Sequence, residues 1–163
     1  GCYGSEIATP NLYLLAEQGM RFTQMHNTSK CFPSRACLLT GVYAQQCGMA
    51  HRHGKITHAI TLGEGLRAAG YRTLAVGKHH GEENLFDRGF DHYRGVRDGG
   101  GNYFNPGKQR PGEGLPAQKA REQRTWCFDA KTVKPYTTPE NDFYSTDYFT
   151  HWSLELLEQT KEH

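Results

Sequence analysis

Long apolar runs are missing from this chain: no stretch of about eighteen apolar residues occurs, so nothing in it is suited to cross a bilayer as a helix. An excess of one charge is missing too. Nineteen Lys and Arg stand against seventeen Asp and Glu, a net charge of +2, too even a balance to argue for nucleic acid. The five cysteines are odd in number and irregular in spacing, a poor disulfide framework, and the pairing of Cys2, Cys37, Cys47 and Cys127 is not readable. Cys-x-x-Cys pairs and His-Glu-x-x-His runs are absent, so His51, His53, His58, His79 and His80 form no strong zinc pattern. Apolar residues are sparse between Gly81 and Asn141, and Gly and Pro run through Asp98 to Pro116 without a helical or strand period. The basic residues Lys108, Arg110, Lys119, Arg121 and Arg124 read as charges of a solvated loop, with a hold on a polyanionic substrate as the alternative.

At 163 residues the chain is long enough for one domain with its own core. Gly1 is not an initiator Met, and Ser153 to His163 run out inside a helical pattern without a stop, so both ends read as cut. Elements are punctuated clearly. Thr9 is a candidate N-cap with Pro10 as first helical residue and Gly19 as stop, and a strand is expected at Arg21-Phe22-Thr23. Pro33 suits the first turn of a second helix that Gly41 would end, which puts Cys31 at a helix N-terminus, where free N–H groups favour an anion. Thr61-Leu62-Gly63-Glu64 reads as a capping box opening a helix that ends near Gly70, before a short apolar strand, Thr73 to Val76. Thr146 opens a last helix whose apolar face is Phe149, Trp152, Leu156 and Leu157. Cys37 falls on the apolar side of the second helix, where burial as a small hydrophobe is the default. The alternation of helix and strand predicts an α/β fold.

Cys31-Phe32-Pro33-Ser34-Arg35, continued by Leu39-Thr40-Gly41, resembles the signature of the type I sulfatases, whose cysteine is oxidised to a formylglycine aldehyde. Flanking segments extend the resemblance over most of the chain: Gly1 to Gly4, Thr9 to Thr23, Gly77-Lys78-His79-His80, and Phe86 to Asp91. In the third of these, His79 stands where the family usually has tryptophan, which questions whatever packing or substrate wall that ring provides. Alone, a Lys-His-His run is more often a solvated turn; after a strand, at the end where open α/β sheets bind ligands, it reads as a site.

The resemblance implies an alkaline-phosphatase-like sulfatase fold, a mostly parallel sheet flanked by helices and incomplete at both ends, with residues 1–163 as the N-terminal part of a single catalytic domain. It implies hydrolysis of sulfate esters, on small molecules or carbohydrates, by the hydrated aldehyde of Cys31. One hydroxyl attacks sulfur and expels the alcohol; the other loses its proton and ejects sulfate. Arg35 would anchor the hydrate, Lys78 would pair with sulfate, and His80 would draw off the proton, so the four converge in one pocket. Ca²⁺ is implied as cofactor, with modified Cys31 the one ligand within this chain and the Asp ligands outside it. The leaving-group acid would lie outside it as well, so the segment alone would be inert. A formylglycine-generating enzyme that reads Pro33 and Arg35 is the implied partner, and family habit implies a periplasmic or extracellular location. Asn102, Tyr103 and Phe104 form a candidate substrate wall suited to sugar rings, with filling of the loop interior as the alternative; His51 and His53 follow the signature helix closely, and a structural role is preferred for them over substrate contact near the cleft. Two readings compete: a phosphodiesterase or phosphonate monoester hydrolase of the same superfamily, and a non-catalytic relative that binds sulfated glycans.

Overall fold

Residues 1–113, 123–138 and 142–161 are described by the computed structural model. Pro10 starts α1, Pro10–Gln18, and Thr9 holds the N-cap position without a side-chain cap bond. This helix buries no residue, and Leu12, Leu14 and Leu15 are more than half exposed. The strand expected at Arg21 to Thr23 does not form. A strand needs a partner strand, and among the described residues none pairs with this segment, whose bonds to residues 2 and 3 run through the Tyr3 and Arg21 side chains.

The second helix, α2, spans Cys31–Thr40 and ends at Gly41, which takes the left-handed conformation (φ 71°) and donates its N–H to the Cys37 carbonyl. Ala36 of α2 packs with Ala44, Cys47, Met49 and Ile56 in a small core, and Cys37, half buried, lies against it. The expected capping box opens α3, Leu62–Ala68: Glu64 N–H donates to Thr61 Oγ1 at 3.1 Å and Thr61 N–H to Glu64 Oε2 at 2.6 Å. Thr61 Oγ1 also donates to the Arg88 carbonyl at 2.6 Å. Arg88 in turn donates to Glu64 Oε1 at 2.7 Å and to the Ala59 and Ile56 carbonyls. The start of α3 is thus fixed to the short 3-10 turn Leu85–Arg88.

Strand β1, Leu74–Val76, pairs in parallel with β2, His92–Val96. Two further strands, β3 (Trp126–Phe128) and β4 (Lys131–Val133), follow antiparallel, in the order β1-β2-β3-β4. The α/β class stands, but these four strands are mixed rather than mostly parallel. Only Asp129 and Ala130 separate β3 from β4, and so short a connection can join strands only as a hairpin. Continuing the β1–β2 pairing brings Gly77 beside Gly95; a Cβ on Gly95 would lie 1.9 Å from the Gly77 carbonyl oxygen.

The last helix, α4, spans Ser145–Gln159 and packs against β1 and β2. Trp152 and Leu156 are buried and Phe149 packs partly buried beside Trp126, Phe143 and Trp152. Leu157 does not join that face and is 53% exposed. One position beyond Leu156, it is turned about 100° round the helix, away from the sheet.

Replacing Thr61 by Ala in the full-length protein removes the cap acceptor and a buried hydroxyl bond together. The expected cost is about 1 to 2 kcal/mol, seen as a lower Tm, with Thr61→Ser keeping most of the stability.

Candidate active site

The N-terminus of α2 and the C-terminal end of β1 meet. Lys30 is the N-cap of α2, in extended backbone, and the first intrahelical bond runs from Ser34 N–H to the Lys30 carbonyl at 3.2 Å. Cys31 is therefore the first helical residue, exposed, with the positive end of the helix dipole at its side chain. Beyond β1 the backbone leaves the regular strand: Gly77 has φ 103° and His80 φ 66°. Left-handed backbone at a non-glycine residue is costly and needs fixing by its surroundings. His79 N–H donates to the Val96 carbonyl at 2.9 Å and His80 N–H to the Arg97 carbonyl at 2.6 Å, so the turn continues the pairing with β2.

This geometry brings Cys31, Arg35 and His80 together with the backbone of Lys78, although the four do not line one shared pocket. Cys31 Sγ lies 2.9 Å from His80 Nδ1, and Arg35 Nη1, one turn further into α2, donates to the Lys78 carbonyl. Phe32 meets the His80 ring edge-on, centroids 5.6 Å apart. The fourth wall is a missing side chain: a Cβ on Gly99 would fall 2.2 Å from His80 Nε2. Lys78 differs from the others. Cys31 and Arg35 line an open cleft with Ser29 and Ser34, while Lys78 lines another cavity with Asn102, Tyr103, Arg124, Trp126 and Phe149. Arg35 takes the backbone carbonyl of Lys78, whose charge also bears on the His80 ring.

Burial first, and then the Lys78, Arg35 and Arg124 charges, push the His80 imidazole down to about 4. At neutral pH the ring is uncharged and one nitrogen can accept a proton. The sign for stability follows: between 4 and 6.5 the unfolded chain holds the proton and the folded chain does not. The contribution of this group therefore falls as pH drops through that window.

Arg124 departs from the solvated-loop reading, whose alternative is a hold on an anionic substrate. It is half buried, lines a cavity with Lys78 and lies within electrostatic reach of His80. Arg110 is also half buried and donates to Thr138 Oγ1 at 2.9 Å, whereas Lys108 is exposed; Lys119 and Arg121 lie outside the described residues. Little in the sequence could have placed Arg124, because its position depends on β3 returning beside β2. Asn102 and Tyr103 do line the cavity with Lys78, and Phe104 stacks on Tyr144 at 5.2 Å. His53 lies away in an exposed pair with Glu82, Nδ1 to Oε1 3.3 Å, and His51 is exposed. His79 is neither a substrate wall nor part of a solvated turn, being 1% exposed.

The donor set around Cys31 does not by itself fit calcium. Asn27, Ser29, Lys30, Ser34 and Arg35 offer an amide, hydroxyls and two cations but no carboxylate, whereas Ca²⁺ takes six to eight oxygens, carboxylates prominent among them. Among the described residues no three His, Cys, Asp or Glu gather into a metal-binding group.

A family model described as "Sulfatase" matches residues 1–163. The chain is 38% identical over 120 residues to an arylsulfatase of Klebsiella aerogenes, covering 63% of this chain and 26% of that protein. It is 41% identical over 99 residues to arylsulfatase G of Rattus norvegicus (54% and 19% covered) and 40% over 111 residues to arylsulfatase A of Homo sapiens (59% and 22%). The chain thus spans about a quarter or less of these relatives. Its fold is similar to that of BT4656, solved in complex with its substrate D-glucosamine-2-N,6-O-disulfate: TM-score 0.70 and 24% identity, covering 99% of this chain and 28% of that one. It is also similar to Ps i-CgsB, with TM-score 0.57 and 27% identity over 79% of this chain and 31% of that one.

His80 is expected to titrate near pH 4, followed by ring-carbon NMR in protein with unmodified Cys31, and Lys78→Met should move the midpoint up toward 6.5. A parent midpoint at or above 6.5 would contradict this electrostatic picture.

Proposed function

The chain belongs to the sulfatase family, and from that premise we propose that the whole protein hydrolyses sulfate esters, with Cys31, converted to formylglycine by a formylglycine-generating enzyme, as the source of the nucleophile. The observation that carries this reading is the contact of Cys31 Sγ with His80 Nδ1 at the N-terminus of α2. In its hydrated form the modified side chain supplies one hydroxyl to attack sulfur and a second whose deprotonation releases inorganic sulfate.

The chain's own residues do the rest. His80, neutral at working pH, accepts the proton through Nδ1. Arg35, tied to the Lys78 carbonyl, keeps a fixed cation beside Cys31 and offsets charge gathering on the sulfate oxygens. The helix N-terminus acts in the same sense. Lys78 holds the anionic part of the substrate from the side of the second cavity.

That cavity is the proposed seat of the alcohol portion. Tyr103, Trp126 and Phe149 give it apolar walls and Asn102 an amide, a mixture suited to a sulfated sugar. The sulfated glucosamine substrate of BT4656 is of this class. Calcium belongs to the same reading, with carboxylate ligands drawn from elsewhere in the whole protein. Action in the periplasm or outside the cell belongs to it also.

In the full-length protein, Cys31→Ala is expected to lower sulfate-ester hydrolysis by at least about 10³-fold, and peptide mass spectrometry of the parent should find aldehyde in place of the thiol at position 31. Matched sulfate and phosphate-diester substrates complete the test. Preference for the diester, or full activity in Cys31→Ala, would overturn the assignment.

A further inference from the structure

His79 takes no part in the chemistry above, yet its burial needs an account. Both ring nitrogens lack hydrogen-bond partners, as does Glu83 Oε2, and Nε2 stands 3.5 Å from Glu83 Oε1, within ion-pair range. Removing an imidazole and a carboxylate from water is costly unless each compensates the other. The backbone makes room for the pair: a Cβ on Gly81 would lie 2.4 Å from His79 Nε2 and 3.0 Å from Glu83 Oε2.

The two members of the pair are anchored to different bodies. Glu83 Oε1 accepts the Ile56 N–H at 2.9 Å, and Ile56 packs in the core that carries Ala36 of α2. Arg88 stands 4.0 Å from the same carboxylate and donates to the Ile56 and Ala59 carbonyls. Glu82 N–H adds a bond to the Gly54 carbonyl at 3.2 Å. Segment 54–59, packed under α2, is thereby joined to segment 82–88. His79 belongs to the other body, the end of β1, where its backbone is bonded to Val96 and its neighbours are Lys78 and His80.

We propose that the buried His79–Glu83 pair is a positioning device: it ties the end of β1 to the core beneath α2 and so holds His80 Nδ1 against Cys31. The inference rests on the functional reading of Cys31 and His80 given above, and it assigns His79 a role through His80 rather than through substrate. Misplacing a reacting group by about 1 Å can cost up to about 10²-fold in rate, so a tether acting at this distance is worth testing by its effect on turnover.

The test uses the full-length protein with His79→Phe, His79→Gln and Glu83→Gln. In His79→Phe, kcat is expected to fall about 10- to 100-fold with KM little changed. The alkylation rate of unmodified Cys31 should change as the His80 ring loosens from the sulfur. His79→Gln, which keeps a side-chain donor near Glu83, should recover most of kcat. Glu83→Gln, nearly isosteric, should reproduce the loss, and it decides the matter if His79→Phe does not fold. Folded variants with parental kcat and an unchanged Cys31 alkylation rate would overturn the proposal. Should the parent turn over no sulfate ester, the functional reading falls and the tether is judged on the alkylation rate of unmodified Cys31. If that rate changes in no folded variant, the tether falls as well.

Discussion

A sulfur and a ring nitrogen 2.9 Å apart, one on the first residue of a helix and the other on a left-handed residue past the end of a strand, set the terms for everything around them. The contact forms only if α2 presents its N-terminus to the sheet and the chain beyond β1 turns sharply enough to bring His80 back over it. Three glycines make the turn possible for different reasons. Gly77 supplies positive φ, Gly81 leaves space for the His79 ring, and Gly99 leaves space for the His80 ring. The helix contributes orientation and partial charge, and the turn contributes a neutral acceptor among cations.

Much of the local structure was legible in the sequence because its signals act over a few residues. The capping box at Thr61 and Glu64, the Pro10 start of α1 and the Gly41 stop of α2 are local hydrogen-bonding and φ requirements, and they hold whatever packs above them. Cys31, Arg35, Lys78 and His80 were legible for another reason: they occupy motif positions, and the motif carries its own spacing. The strands were less so. Of the four, only β1 was foreseen; β2 carries His92, Arg94 and Gly95 between its apolar residues, and β3 and β4 are three residues each, too short for a period to show.

What could not be read depends on return of the chain from a distance. Arg124 reaches the site only because β3 pairs with β2, and charge composition alone suggested a solvated loop. Leu157 matched the apolar pattern by identity, but the sheet beneath α4 selects Trp152 and Leu156. The strand expected near Phe22 shows the converse: β propensity without a neighbouring strand leaves a segment irregular. His79 is the instructive case. As a letter in a Lys-His-His run it suggested exposure, and its burial beside Glu83 follows from the turn the chain makes past β1, with Gly77 and His80 at positive φ on either side of it.

The approach of Gly95 to the Gly77 carbonyl has a consequence for how the chain finds its native pairing. Sliding β2 by one position, about 3.3 Å, would bring Arg94 or Val96 to the place beside Gly77. Neither can be accommodated where even a methyl group collides. Misaligned pairings are therefore rejected by hard-sphere repulsion during folding, at a point two residues before His79 and three before His80. The same glycine pair acts as a steric proofreader, so a correctly zipped β1–β2 ladder already carries the histidine turn in place.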